Sequence, residues 1–249
     1  MKKALLLSIL FAAVGCFGTD IYLCGDSTIC HYSGKYAPKA GWGMKLKSFC
    51  VQGVEVINLG APGATTQSIR MTHKLWDKLI NKVKPGDFVV IQFGHNDQKP
   101  NDPKKPNHVH CGVNDLYPAN LAAFINEVKA KKAFPVLATP ICRRIYKDGK
   151  FFDPTKPTLR EYSDAAMAIA KKENIPVVDM NGLTTEMVVN AGEEGSKKFY
   201  MILKPGESPN YPKGSNDLTH LNTNGAEIFA SLFVEDAKKQ KLPIAKLFK

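Results

Sequence analysis

The sequence predicts an α/β protein, a parallel sheet with helices on both faces. Short apolar runs of the kind that form buried strands recur at 21–24, 54–59, 88–93, 135–139 and 177–180. Between them lie segments with apolar residues at helical spacing. Strands joined through helices run parallel by right-handed crossovers. The polar, glycine-bearing motifs also fall at the carboxyl ends of the strands, where such folds bind ligands.

The first strand, over 21–24, is Ile-Tyr-Leu-Cys, and Gly25 then lets the backbone turn without a Cβ clash. Asp26 and Ser27 follow at the sheet rim, where a strand can hold a serine hydroxyl still. Taken alone, Gly25-Asp26-Ser27-Thr28 also has the residue types of an ordinary turn. A helix is expected over 42–49, before the second strand at 54–59. Ile69, Leu75, Trp76 and Leu79 mark a helix over 68–83. A Pro85-Gly86-Asp87 turn introduces the third strand. The stretch 98–114 is polar and rich in Pro and Lys, a surface loop beside the site rather than a domain boundary. Leu121, Phe124, Ile125 and Val128 define one face of a helix over 115–132. The fourth strand follows, then a helix over 158–172, the fifth strand, and a long connection over 193–216. The last helix covers 223–238, with Ala226, Phe229, Ala230 and Phe233 facing inward.

The 249 residues are 44% hydrophobic and 23% charged, which suits one sizeable domain. Residues 1–18 read as a secretory signal peptide: Lys2 and Lys3, then an apolar run from Ala4 to Val14 too short to span a bilayer. The mature domain is therefore expected over 19–249, secreted or periplasmic. Cys16 after Ala-Val-Gly also resembles a lipoprotein site, a less favoured anchor because it leaves a short tether. No other stretch is apolar enough for a membrane helix. Beyond Cys16 five cysteines remain, an odd number without C-x-x-C spacing, so neither a zinc site nor a redox pair is expected. Export permits one disulfide without choosing its partners. The formal charge of +11 is about +9 without Lys2 and Lys3, and it is spread through the chain with no dense basic tract. An anionic surface or an anionic polysaccharide fits this balance better than nucleic acid. The sequence leaves the oligomeric state open.

A serine hydroxyl needs a base to remove its proton, ordinarily a histidine oriented by a carboxylate. Asp217-Leu218-Thr219-His220 places an acid three residues before a histidine. If that stretch turns, Asp217 can hold the His220 Nδ1–H and leave Nε2 to face Ser27. The same two residues also read as a helix-start acid and a surface histidine. An acyl-transfer site also needs donors for the oxyanion. Gly63, after the second strand, can offer its N–H, and Asn96, after the third, its side-chain amide. Glycine turns and polar caps are routine at such places, but their joint occurrence at three successive strand ends is not.

Gly25-Asp26-Ser27-Thr28, Asn58 to Gly63, Gly94-His95-Asn96-Asp97 and Asp217 to His220 resemble, in order, the four sequence blocks of the SGNH, or GDSL-type, hydrolases. Gln92-Phe93-Gly94-His95-Asn96-Asp97-Gln98-Lys99-Pro100, Gly41-Trp42-Gly43 and the 139–144 stretch are similar to the rhamnogalacturonan acetylesterase group. The resemblance implies a flavodoxin-like three-layer α/β/α sandwich with a five-stranded parallel sheet, and a serine esterase needing no metal or cofactor. It implies Ser27 as nucleophile, Asp217 and His220 as its partners, and an oxyanion hole of Ser27 N–H, Gly63 N–H and Asn96. Thr65-Thr66 and the His108-x-His110-Cys111 loop depart from the family pattern and leave the substrate open. Two histidines in a polar loop are ordinarily solvated, so no metal is assigned there. His95 is read as bracing the oxyanion loop. Trp42 and Trp76 are core residues, or either forms a sugar platform, Trp42 before Trp76. Lys99, Lys104 and Lys105 form a solvated face or attract uronate carboxylates, so Lys99 joins Trp42 as a candidate substrate-binding residue.

The expected function is a secreted esterase removing O-acetyl groups from plant cell-wall polysaccharide, pectic or xylan-like, through an acetyl-enzyme. A lipid or thioester hydrolase on the same residues is an alternative, as is a non-catalytic glycan-binding protein on the same fold.

Overall fold

The structure, a computed structural model, describes residues 19–102, 104–105, 108–152 and 159–249. The expected leader over 1–18, with Cys16, lies outside the described residues. Five parallel strands form the central sheet: β1 (Ile21–Gly25), β2 (Val56–Asn58), β3 (Phe88–Gln92), β4 (Phe134–Ala138) and β7 (Val177–Val178), in the order β2-β1-β3-β4-β7. The chain moves from β1 outward to β2, then crosses back past β1 to β3. The resulting gap beyond the β1 and β3 carboxyl ends is where this topology takes ligands.

The two-residue period of a strand sorts its side chains onto opposite faces. Ile21 and Leu23 of β1 join Phe88, Val90, Val136 and Ala138 in one buried cluster. Helices α5 (Met180–Gly195) and α6 (Thr223–Lys239) cover it with Met180, Val188, Phe229 and Phe233. Tyr22 and Cys24 join Val89, Ile91 and Leu137 on the other face. There α2 (Leu75–Ile80), α3 (Leu116–Ala130) and α4 (Leu159–Glu173) contribute Trp76, Phe124 and Tyr162. This is the expected three-layer sandwich.

Several elements differ from the sequence reading. The helix expected over 42–49 is two 3-10 turns, because Gly41 and Gly43 press so closely on the 29–30 backbone that a Cβ on either would lie within 2.5 Å of it. The segment 68–83 splits into α1 (Ser68–Met71) and α2, separated by Lys74 at φ 52°, a left-handed conformation that no helix continues through. The fifth strand ends at Val178. Asp179 then caps α5, its carboxylate accepting from Gly182 N–H at 3.1 Å. The connection over 193–216 is not structureless. It contains β8 (Tyr200–Leu203), which pairs antiparallel with β9 (Ser215–Leu221). A two-strand hairpin, β5 (Tyr146–Lys147) with β6 (Lys150–Phe151), was not foreseen. Cys24, Cys30, Cys50, Cys111 and Cys142 are all buried free thiols. Among the described residues no helix is long and apolar enough to cross a membrane.

Candidate active site

Ser27 sits just beyond β1, held by its neighbours on both sides. Gly25 lies against β3 so tightly that a Cβ there would come 2.3 Å from the Gln92 carbonyl oxygen. The buried Asp26 carboxylate accepts from Thr28 N–H and Thr28 Oγ1, both at 2.8 Å. Thr28 Oγ1 accepts from Gln92 Nε2, and Gln92 Oε1 accepts from Trp42 Nε1, each at 2.5 Å. The Ser27 carbonyl accepts from Tyr32 OH at 3.1 Å.

Trp42 is therefore not a sugar platform. It is fully buried, stacks on Phe233 at 5.1 Å, and spends its indole N–H on Gln92. Its place is behind the Ser27 turn. Trp76 is likewise core, donating to Glu127.

Asp217 and His220 arrive from the other side on β9. In a regular strand residues three apart point to opposite faces. Here the pairing with β8 jumps: Tyr200 faces Leu221 while Met201 faces Asp217, so Leu218, Thr219 and His220 bulge out. The bulge folds around Asp217 Oδ1, which accepts from Thr219 N–H and His220 N–H, both at 3.0 Å. Asp217 Oδ2 meets His220 Nδ1 at 2.6 Å, and His220 Nε2 meets Ser27 Oγ at 2.9 Å. Asn222 caps α6 immediately afterwards and ties it to β8, its side chain accepting from Gly225 N–H and donating to Tyr200 O, both at 2.9 Å. Burial tends to raise the Asp217 carboxyl. The His220 hydrogen bond and charge, with the two backbone N–H groups, outweigh it and hold Asp217 well below the usual carboxylate range. It is ionised, and an ionised carboxylate only accepts, so the shared proton on Nδ1 belongs to the ring. In the neutral ring with its proton on Nδ1, the Nε2 lone pair faces Ser27 Oγ.

The loops after β2 and β3 complete the site. Gly63 adopts φ 76°, the left-handed region, and a Cβ there would lie 3.2 Å from His108 Nε2. Asn96 is buried, and its Nδ2 donates to Ala64 O at 3.0 Å. Asp97 binds the two loops together, Oδ1 accepting from Thr66 N–H and Thr66 Oγ1 at 2.8 and 2.7 Å. Thr66, which departs from the family pattern, thus has a definite structural task. His95 is also buried, its carbonyl accepting from Arg143 Nη2 at 3.3 Å, and burial holds its ring well below the ordinary imidazole value. Its ring is neutral and packed behind the loop that carries Asn96.

Burial pushes the Asp97 carboxyl up to about 7, against the Thr66 hydrogen bonds and with the Asp26 charge adding to the rise. Between the unfolded value near ~3.9 and about 7, the folded chain keeps this proton while the unfolded chain releases it. Stability from the group is complete at the acid end of that window and is lost as pH rises through it. Asp97→Asn retains an acceptor oxygen for both Thr66 donors and cannot ionise. Its melting temperature relative to the parent should therefore climb between pH 4 and pH 7 and level off above. A difference independent of pH would show that Asp97 does not titrate in that window.

Ser27, Gly63, Asn96, Asp217 and His220 all line one cavity of about 810 Å³. Lys99 lines it too, with Lys35, Lys39 and Arg143, and among the described residues Asp217 is its only acidic group. Lys39 Nζ stands 3.9 Å from Asp217 Oδ2 and 5.1 Å from the centre of the Tyr32 ring. Tyr36, edge-on to Tyr32 and 44% exposed, is the aromatic surface that the cavity does offer. Sequence reasoning missed it because an aromatic in a polar loop carries no periodic signal. Of the two loop histidines, His108 lines the cavity and His110 does not, and among the described residues no three His, Cys, Asp or Glu side chains gather to hold a metal.

A sequence model of the GDSL-like lipase/acylhydrolase family matches residues 23–228, from β1 into α6. The chain belongs to this family. It is 34% identical over 225 residues to the rhamnogalacturonan acetylesterase RhgT of Bacillus subtilis, covering 90% of this chain and 92% of that one. Among solved structures, the YxiM protein of Bacillus subtilis superposes with a TM-score of 0.73 at 26% identity, covering 91% of this chain and 58% of that chain. The acetylxylan esterase Axe2 of Geobacillus stearothermophilus has the same fold, with a TM-score of 0.58 at 22% identity over 88% of this chain and 94% of its own. The family assignment places this SGNH-type hydrolase beside the rhamnogalacturonan acetylesterases, as its motifs implied.

Proposed function

We propose that the protein is an exported serine esterase that removes O-acetyl groups from an acidic plant cell-wall polysaccharide of the rhamnogalacturonan type. The observation that carries this is the Ser27–His220–Asp217 hydrogen-bonded line on the wall of a cavity ringed by basic side chains. Mere glycan binding has no need of an aligned serine and base. The similarity to RhgT supports the acetylated pectic substrate.

Ser27 Oγ attacks the acetyl carbonyl carbon while His220 Nε2 takes the hydroxyl proton. The negative charge moves to the carbonyl oxygen, which the Ser27 and Gly63 N–H groups and the Asn96 amide receive. The intermediate collapses, and His220 returns the proton to the departing sugar oxygen. Acetyl remains on Ser27. Water then attacks the acetyl carbon with His220 again as base, and acetate leaves as Ser27 regains its proton. Asp217 holds the ring and offsets its charge whenever Nε2 is protonated.

Acetate release from a panel of acetylated polysaccharides tests the reading. Rhamnogalacturonan should exceed neutral acetylxylan in kcat/KM by at least tenfold at low salt. The margin should shrink as salt screens the cavity charge over a Debye length of about 8–10 Å. Preference for acetylxylan would remove the acidic substrate while keeping the esterase. A p-nitrophenyl ester series favouring long acyl chains would point to a lipid substrate. No turnover on any ester, with glycan binding intact, would leave a binding protein.

A further inference from the structure

Lys99 was expected at the substrate face, and it lines the cavity, but its ammonium is not aimed at open space. Lys99 Nζ donates to Asn96 Oδ1 at 2.7 Å, while Asn96 Nδ2 donates to Ala64 O at 3.0 Å. The two partners are of opposite kinds and neither can change sides. An ammonium only donates, so the atom it meets must be the amide oxygen; a backbone carbonyl only accepts, so the atom it meets must be the amide nitrogen. A carboxamide can ordinarily rotate by half a turn at little cost. Here that rotation would set Nδ2 against a cation and Oδ1 against a carbonyl, so it is blocked at both ends. One Nδ2 hydrogen goes to Ala64, and the second is left for the cavity that Ser27 and Gly63 share with Asn96.

We propose that Lys99 is a positioning residue for the reaction: by donating to Asn96 Oδ1 it fixes the side-chain amide with Nδ2–H toward the developing oxyanion and polarises that N–H. The proposal rests on the reading of Asn96 as an oxyanion donor. Drawing electron density toward Oδ1 makes the amide a stronger donor at nitrogen, the cooperative strengthening seen in linked hydrogen bonds. The benefit grows as charge builds on the substrate oxygen, so it belongs to the transition state rather than to the bound ester. Lys99 sits three residues after Asn96, and the turn between them is closed by Lys99 N–H donating to Asn96 O at 3.0 Å, which brings the side chain back over the amide. Burial and the charge of Arg143 draw the ammonium below the ordinary lysine value, with the Asp26 charge opposing them.

The test is a double-mutant cycle on p-nitrophenyl acetate, a neutral ester with no carboxylate for a lysine to bind. Asn96→Ala should lower kcat by about 10²–10³, the usual cost of one oxyanion donor. Lys99→Met, which keeps the aliphatic stem, should lower kcat about tenfold with KM within about twofold, as expected for one hydrogen bond to a charged group. In the Asn96→Ala background, Lys99→Met should cost nothing further. An equal, additive loss in that background would overturn the proposal, since Lys99 would then act on the oxyanion directly. So would an unchanged kcat for Lys99→Met with KM raised on the acidic glycan alone, which would make Lys99 a carboxylate ligand. If Asn96→Ala itself leaves kcat intact, the oxyanion assignment fails, and that result is separate from a failure at Lys99. Melting temperatures within a few degrees of the parent establish that each variant is folded.

Discussion

Ser27→Ala should eliminate turnover while leaving the fold intact. The rate of acetate release should fall by at least about three orders of magnitude, to whatever the oxyanion donors and binding alone sustain. The fold should survive because the structure grips this turn through groups the substitution leaves alone: the Ser27 carbonyl held by Tyr32, and the Asp26 carboxylate held by Thr28. Among the described residues the hydroxyl itself hydrogen-bonds only to His220 Nε2. Activity and melting temperature measured together decide the matter. A well-folded variant with near-normal turnover would take Ser27 out of the mechanism.

Asp217→Asn should be almost as damaging, for a reason written in the bulge. Two backbone N–H groups fix the oxygen at Oδ1. In asparagine that position must stay oxygen, since an NH2 cannot accept them. The amide nitrogen is then forced to face His220 Nδ1 and donate to it. His220 must answer with a lone pair at Nδ1 and carry its proton on Nε2, the wrong tautomer to accept from Ser27. A loss of about 10⁴ in kcat is expected, the cost of an inverted tautomer in a triad of this kind. KM on a small ester should change little. A loss of only a few-fold would mean that Asp217 positions the ring without setting its proton.

The strand-end motifs made much of this site legible in advance, and the reason is geometric. A parallel sheet delivers the ends of successive strands to one rim, so Ser27, Gly63 and Asn96 could be assembled from order alone. The partnership of Asp217 with His220 was also readable, but not its vehicle. Tyr200-Met201-Ile202-Leu203, followed by Lys204-Pro205-Gly206, carries a strand-and-turn signal inside the long connection that was passed over. The helix α5 escaped notice because Thr184, Thr185, Val188 and Val189 are weak helix formers, and packing of Met180 and Val188 on the sheet decides its state. Trp42 misled for a different reason. An indole near a glycine pair looks the same in sequence whether it meets sugar or Gln92, and only the long-range hydrogen bond tells them apart. The exposed Tyr36 and the lysines around it lie in a loop whose course is set by contacts distant in the chain, including Asn210 and Tyr211 against the 34–37 backbone.

The bulge in β9 has a consequence for how this enzyme tolerates change. Asp217 and His220 are held in one short backbone knot, so their mutual distance is set locally. The turn between β8 and β9 can be lengthened by several residues at little entropic expense, each doubling of a loop adding only about 0.6 kcal/mol. The knot would ride along as a unit. Removing a single residue between Asp217 and His220 is another matter. It would break the pair of backbone N–H bonds to Asp217 Oδ1 that shape the knot and carry the ring off its line to Ser27. Drift in length is therefore absorbed on one side of Asp217 and forbidden on the other. A single position marks the border between a stretch free to diversify around new substrates and one whose spacing the chemistry holds constant.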